Sequence, residues 1–293
     1  MNAEHPRDAL RRCGVTANRR LGQNFLVSPG VASRIVEEAQ VCREDVVLEV
    51  GTGLGILTEH LAAQAAAVIS VEIDRRLCEV ARERLGSMTN LRLLCADFLE
   101  GKHSINPLVT AAVREAAAGR RLKVVSNLPY QIATPAVLNL LGWEVPVCEM
   151  DVMLQVEVVE RFRAQPGSSE YGPSSVVVAY WAGVEEVFRM PASAFWPQPG
   201  VSSCFVRLRP RPPDPEARSY RAFIEVVSKL FQSRRKTLGR AMELAWGRDV
   251  AQRLLGEAQL DRSLRPGNLT PAQFVRLADV LDEVRPQGGE ALR

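Results

Sequence analysis

The chain is poor in the residues from which metal centres and disulfide frameworks are built. Its 293 residues hold three histidines and six cysteines. His5, His60 and His103 stand far apart, and Cys13, Cys42, Cys78, Cys95, Cys148 and Cys204 are scattered with no C-x-x-C pair and no Cys/His spacing. No metal site is expected, and reduced thiols are expected rather than disulfides or a zinc site. No apolar run approaches the roughly 20 residues that a membrane-spanning helix needs. The N-terminus carries arginines but no apolar signal core. A cytoplasmic protein without a membrane partner is expected. Repeats and low-complexity tracts are also missing.

What is present is an ordinary globular composition, 46% hydrophobic and 24% charged. The length suits one large domain and a smaller one. The net charge of +3 is unevenly spread. Residues 1–208 carry 21 Lys and Arg against 23 Asp and Glu, whereas residues 209–293 carry 16 against 11. Within the acidic part, residues 1–21 hold five Arg against two acids. Basic patches at both ends point to a polyanion, nucleic acid foremost, against the plainer reading of a solvated Arg-rich surface.

The hydrophobic pattern alternates. Ser28 and Pro29 begin a helix through about residue 39. Short apolar strands are expected at 46–50, 68–71, 91–95 and 122–125, with helices at 56–61, 75–85 and 106–118 between them. Further strands are expected at 152–154, 176–180, 186–190 and 204–208, with a helix at 156–163. This alternation predicts an α/β fold with a mostly parallel, doubly wound sheet. Arg209-Pro-Arg-Pro-Pro-Asp-Pro is stiff and incompatible with helix. It reads as a linker over 209–218 between a domain at 1–208 and an all-α domain at 219–293, with helices at about 219–232, 235–246, 248–258 and 271–284.

Two stretches carry chemistry. Gly51-Thr52-Gly53-Leu54-Gly55 lies between the first core strand and its helix, where a glycine turn brings backbone amides close to a ligand. The dinucleotide fingerprint wants its third glycine where Ile56 stands. Glu72 ends the next strand about twenty residues on, the position of a carboxylate that binds a ribose diol. Asp97 ends the third strand, placed to accept from an adenine amino group. The second stretch is Ser126-Asn127-Leu128-Pro129-Tyr130, at the carboxyl end of the fourth strand, where open α/β sheets bind ligands. The Asn127 side chain and neighbouring carbonyls can accept from an exocyclic amine, and Tyr130 offers a stacking face.

The E-x-G-x-G-x-G form, with acids ending the second and third strands, resembles class I methyltransferases that bind S-adenosylmethionine. A nicotinamide-type dehydrogenase and a tight turn with solvated acids are the alternatives. Asn-Leu-Pro-Tyr resembles the (Asp/Asn/Ser)-x-Pro-(Tyr/Phe) motif of methyltransferases acting on planar amino nitrogens. Hydrogen bonds from the amine to Asn127 and to the Leu128 carbonyl would localise its lone pair. Pro129 would fix that geometry, leaving orientation and electrostatics as the catalytic means.

Over roughly residues 15–285 the chain resembles the small-subunit rRNA adenine N6,N6-dimethyltransferase family, shared by bacterial KsgA-type enzymes and eukaryotic Dim-type relatives. The resemblance rests on Leu21-Gly-Gln-Asn-Phe-Leu26, Glu49-Val-Gly-Thr-Gly-Leu-Gly55, Val71-Glu-Ile-Asp74, Ala96-Asp97, Asn127-Leu-Pro-Tyr130, Glu157-Val158 with Glu160-Arg161, Tyr171-Gly172, Phe195-Trp-Pro-Gln-Pro199 and Phe231-Gln-Ser-Arg-Arg-Lys-Thr-Leu238. It implies dimethylation of two adjacent adenosines near the 3′ end of small-subunit rRNA, on the assembling small ribosomal subunit, by a monomer. It implies that Asn24, Leu26, Gly51, Glu72, Asp97 and Asn127 contact S-adenosylmethionine, with Gly53 in the same turn. It further implies that Phe195 faces Tyr130 across the target adenine, as base extrusion requires. Arg234, Arg235 and Lys236 would contact phosphates, with Arg19 and Arg20 contributing from the other end. The chain departs from the family pattern at Gln131, Val156, Gly200 and Ser202, none of them in the proposed transfer chemistry. The large-subunit adenine methyltransferases of macrolide resistance, and a non-catalytic ribosome-assembly or transcription-factor-like relative, are the competing readings. The Gly22-Gln-Asn-Phe-Leu opening and the Arg-Arg-Lys-Thr-Leu helix favour the small-subunit enzyme. The intact Gly51, Glu72, Asp97 and Asn127 set argues against a vestigial donor site.

Overall fold

The computed structural model of the protein describes residues 5–102 and 104–284; the side chain of Arg19 and all of His103 lie outside the described residues. The chain starts with a short helix that the sequence pattern did not reveal, α1 (Pro6–Arg12), capped by the His5 side chain accepting from the Arg7 N–H. A two-residue strand, β1 (Phe25–Leu26), follows. Then comes α2 (Pro29–Glu38), with Ser28 as its cap.

The sheet grows from runs too apolar to face water on either side. β2 (Asp45–Val50) is buried throughout, with Val46, Val47 and Leu48 fully shielded, as expected of a central parallel strand. The chain continues α3 (Ile56–Gln64), β3 (Ala67–Glu72), α4 (Arg75–Leu85), β4 (Leu91–Cys95), α5 (Pro107–Ala116), β5 (Arg121–Asn127), α6 (Ala133–Leu141) and β6 (Glu149–Gln155). β2 to β6 pair in parallel wherever they adjoin. After α7 (Val156–Arg163) and α8 (Pro173–Trp181), β7 (Ala182–Met190) and β9 (Ser203–Pro210) complete the order β4-β3-β2-β5-β6-β9-β7, with β9 antiparallel to β6. Between them β8 (Phe195–Trp196) pairs antiparallel with β1. The doubly wound α/β sheet read from the sequence is the fold observed.

Three features differ from the sequence expectations. Residues 176–180, expected as a strand, form part of α8. Their valines are buried, which imitates a strand, but Pro173 occupies the first helical turn and Ser175 Oγ accepts the Gly172 N–H at 2.9 Å. Cys78 on α4 and Cys95 at the end of β4 are disulfide-bonded, with Cα atoms 6.0 Å apart, because α4 packs back along the β3–β4 edge. The reduced state expected of all six cysteines fails for that pair. Finally, the domain boundaries are interleaved. One compact unit runs to Val159 and resumes at Gly183–Pro210; the other holds Glu160–Ala182 and the chain from Arg211.

The second unit is helical: α7's latter half and α8, then α9 (Tyr220–Gln232), α10 (Leu238–Trp246), α11 (Arg248–Glu257) and α12 (Pro271–Val284). Aromatic packing explains why residues 160–182 belong to it. Tyr180 stacks on Phe223 with ring centroids 4.4 Å apart, and the Tyr171 hydroxyl donates to the Leu269 carbonyl at 2.8 Å. The proline-rich stretch expected as a linker is held to the same unit, its Arg211 N–H on the Trp181 carbonyl and its Ala217 N–H on the Tyr180 hydroxyl. Among the described residues no helix is long and apolar enough to cross a membrane, and no cluster of three or more His, Cys, Asp or Glu stands ready for a metal.

Tyr171 and Leu269 are both shielded from water. Tyr171→Phe therefore strands a buried carbonyl and should lower stability by about 1–3 kcal/mol. Urea denaturation measures this, and an unchanged midpoint would contradict the assignment.

Candidate active site

Gly51 begins the turn after β2 at φ +92°. Its N–H donates to the Val71 carbonyl at 2.8 Å, which ties the turn to β3. A Cβ at Gly51 would lie 3.0 Å from the Pro129 ring, so glycine is what lets the two loops approach. Gly53 donates its N–H to one Glu72 carboxylate oxygen at 2.9 Å, and Asp74 donates its own to the other at 2.9 Å. Burial pushes the Glu72 carboxyl up from its ordinary range, and these two N–H donors pull against that shift.

Under the turn lies a buried polar chain that the sequence did not disclose. Thr58 and Ser70 hydroxyls each donate to the same Glu49 oxygen at 2.6 Å, and Thr52 shares a 2.6 Å bond with Ser70. Glu49 is 1% exposed, and burial pushes its carboxyl up to about 8. The glycine turn thus sits on a network of hydroxyls around a carboxyl that is protonated at neutral pH.

At the end of β5, Asn127 Nδ2 donates to the Asn24 carbonyl at 2.8 Å, while Asn127 Oδ1 is shielded from water and has no protein partner. A buried carbonyl oxygen without a donor is uncommon and calls for one. Ser126, directly before it, bonds the Val50 carbonyl at 2.6 Å, locking β5 to β2 beside the glycine turn. Leu128 is 1% exposed, Pro129 packs on Gly51, and Tyr130 is half-buried with its hydroxyl 2.6 Å from Ser203 Oγ. The segment before β1 clasps this loop from above. Gly22, at φ +66°, lies so close that a Cβ there would meet the Gln131 N atom at 2.8 Å. Asn24 holds the segment's shape by donating to the Gly22 carbonyl at 3.1 Å.

Two cavities adjoin along Gly51, Glu72, Ile73 and Pro129. One, of about 650 Å³, is lined by Asn24, Leu26, Gly53 and Asn127 among others; the second, of about 620 Å³, reaches Arg20, Ala96, Asp97 and Phe98. Asp97 is exposed at that wall, with Oδ1 accepting the Leu99 N–H at 3.1 Å. The structure therefore brings together Asn24, Leu26, Gly51, Gly53, Glu72, Asp97, Asn127, Leu128 and Pro129, and it places Arg20 on the rim.

Phe195 does not join them as an open ring. It is 2% exposed in the core with Phe25, because the β1–β8 ladder sets it opposite Leu26 and turns it inward. A second stacking face from Phe195 is not offered in this arrangement. The basic triplet Arg234, Arg235 and Lys236 also departs from expectation, lying in the turn between α9 and α10 instead of on a helix. The Lys236 N–H closes that turn on the Ser233 carbonyl at 2.8 Å. In the second unit this turn lines a groove of about 1530 Å³ with Arg265 and Asn268. Arg234 is partly committed there, its Nη2 donating to the Ser168 and Ser169 carbonyls.

A model of the family described as "Ribosomal RNA adenine dimethylase" matches residues 14–283 of the chain. The protein named "Ribosomal RNA small subunit methyltransferase A" of Bacillus mycoides is 36% identical over 281 residues, covering 94% of each chain. Its namesake from Pediococcus pentosaceus is 37% identical over 287 residues, covering 94% of this chain and 93% of the relative. Among solved structures, a dimethyladenosine transferase from Plasmodium falciparum has the same fold with TM-score 0.68 at 23% identity, over 86% of this chain and 95% of its own. The 23S rRNA methyltransferase ErmE aligns with TM-score 0.58 at 27% identity, over 88% of this chain and all of its own.

The raised Glu49 carboxyl has a pH signature. Between its ordinary 4.5 and about 8, the folded chain keeps a proton that the unfolded chain releases. Stability from this group is thus full below 4.5 and is lost as pH rises through 8. Glu49→Gln should flatten the fall by up to about 1.4 kcal/mol per pH unit in that window. Urea titrations of both proteins across the window check this, and parallel curves would refute it.

Proposed function

The chain belongs to the ribosomal RNA adenine dimethylase family, and from that membership we propose how its own residues perform the reaction. It is an rRNA adenine dimethyltransferase, so the dehydrogenase reading falls away. We assign its substrate as two adjacent adenosines near the 3′ end of small-subunit rRNA, presented on the assembling subunit in the cytoplasm to a monomeric enzyme. The macrolide-resistance type shares the fold but is a weaker reading, since the relatives with small-subunit names are 36% and 37% identical over 94% of this chain, against 27% for ErmE over 88%.

The observation that carries the reading is the buried, partnerless Oδ1 of Asn127 beside the glycine turn. The donor pocket fits S-adenosylmethionine by the chemistry of its lining. Glu72 keeps lone pairs for a ribose diol after accepting two backbone N–H groups. Ile73 and Asp97 flank a space for a base, and the Gly51–Gly53 turn with Asn24 and Leu26 bounds the end where an amino-acid moiety belongs. When bound, S-adenosylmethionine supplies a methyl group already activated by its sulfonium leaving group.

The protein's own task is then to orient an amine. An adenine N6 lone pair is delocalised into the ring and is a poor nucleophile. Asn127 Oδ1 and the Leu128 carbonyl accept its two N–H bonds, which favours a pyramidal nitrogen with a localised pair. Pro129 stiffens the loop and Tyr130 stacks on the base. No side chain has to remove the proton before transfer, because the product ammonium is acidic and loses it to water. Such preorganised polar contacts act through position and field. Arg235 and Lys236 in the helical unit, and separately Arg20 at the donor rim, supply phosphate contacts.

Purified protein, labelled methyl donor and unmethylated small subunits test the reading: labelled N6,N6-dimethyladenosine is expected, and none would overturn it. Asn127→Ala should lower the rate at least about 10²-fold while RNA affinity stays within about twofold; a matching loss of RNA binding would contradict its role. Replacing Arg235 and Lys236 by Ala should weaken RNA binding and reduce its log-log salt slope by about 1–2. An unchanged slope would remove the turn from the RNA surface.

A further inference from the structure

We propose that Ser203 is the positioning residue of the adenine clamp, holding Tyr130 at the angle from which it stacks on the target base. This rests on the clamp reading above and names the residue that tunes it. Tyr130, half-buried just after β5, supplies an aromatic face of the clamp. A ring that stacks on a base is best fixed in its plane before the base arrives, or part of the binding energy goes into ordering it.

Tyr130 is pinned at both ends. At its backbone, Pro129 packs on Gly51, and Gly22 sits so near that a Cβ there would meet the Tyr130 N atom at 3.0 Å. At the far end of the ring, the phenol oxygen lies 2.6 Å from Ser203 Oγ. Ser203 is itself fully buried as the first residue of β9, in register with Gln155 on β6. The neighbouring Val156 N–H donates to the Ser202 carbonyl at 3.1 Å, so the backbone that carries the hydroxyl is held by the sheet. Burial pushes the Tyr130 phenol above its ordinary value, so both partners are neutral hydroxyls at working pH. Neither Ser203 nor Tyr130 lines either donor cavity, so the bond can be removed without altering the donor pocket's walls.

A double-mutant cycle on the intact enzyme with small subunits as substrate tests this. Ser203→Ala and Tyr130→Phe should each lower kcat about tenfold and leave the KM for the methyl donor within twofold. The double variant should be no worse than either single one, because both remove the same bond. With 2-aminopurine in place of the target adenosine, quenching on binding should weaken equally in all three. Thermal melts identify any variant that fails to fold, and Tyr130→Phe, which keeps the ring, carries the test if Ser203→Ala is lost. Single variants with wild-type kcat and quenching overturn the proposal, as does a double variant whose losses multiply to about a hundredfold. Asn127→Ala is run beside them: wild-type transfer by that variant refutes the clamp itself, whereas its inactivity alongside a neutral Ser203→Ala refutes only the role of Ser203.

Discussion

The site depends on one hydrogen bond, from Asn127 Nδ2 to the Asn24 carbonyl. A primary amide has a donor end and an acceptor end, and only the donor end can face a carbonyl. The bond therefore decides that Oδ1 points elsewhere, into a space with no protein donor. Around it the chain is doubly secured. Asn24 holds Gly22, Gly22 rests on the backbone of Tyr130 and Gln131, and Phe25 lies under Gly53. A segment with almost no regular structure thereby sets the polarity of the strand end below it.

The two glutamates at the donor turn illustrate how environment separates like residues. Burial pushes both carboxyls up, but Glu72 receives two backbone N–H bonds, which pull against that shift and leave lone pairs for the cavity. Glu49 receives only hydroxyls in a dry interior and is held neutral, serving the turn as a hydrogen-bonded post. The neighbouring Glu72 adds to that upward shift, since two carboxylates side by side repel in a medium of low dielectric.

Much of this was legible in the chain. β2, β3 and β5 follow from apolar runs closed at or beside Gly51, Glu72 and Asn127, because parallel strands buried on both faces announce themselves, whereas the partly buried β4, ending at Cys95 just before Asp97, shows only through its leucines. Gly51, Glu72, Asp97 and Asn127 were legible because each stands at or just past the end of a strand, whereas Asn24 and Leu26 were legible through the family resemblance. What escaped depends on distant partners. Tyr130 and Ser203 stand 73 residues apart, and no local pattern links them. Phe195 reads as a free ring until the β1–β8 ladder turns it inward. Val176 to Tyr180 has the composition of a strand, and only the capping by Gly172, Pro173 and Ser175 makes it helix. The basic triplet was found, but the end of α9 at Gln232 puts it on a turn.

The interleaving of the two units constrains how such a protein can be inherited. The chain departs for the helical unit at Glu160, comes back at Gly183, and departs again at Arg211. A single recombination event in the proline-rich stretch would pair α9 to α12 of one parent with α8 of another. Tyr180 would then need a foreign partner for Phe223, and Tyr171 a foreign carbonyl for Leu269. Three matched junctions are needed to move the basic groove intact. Its surface is accordingly tied by descent to the catalytic sheet, and the two halves are expected to diverge as one lineage rather than to be shuffled as modules.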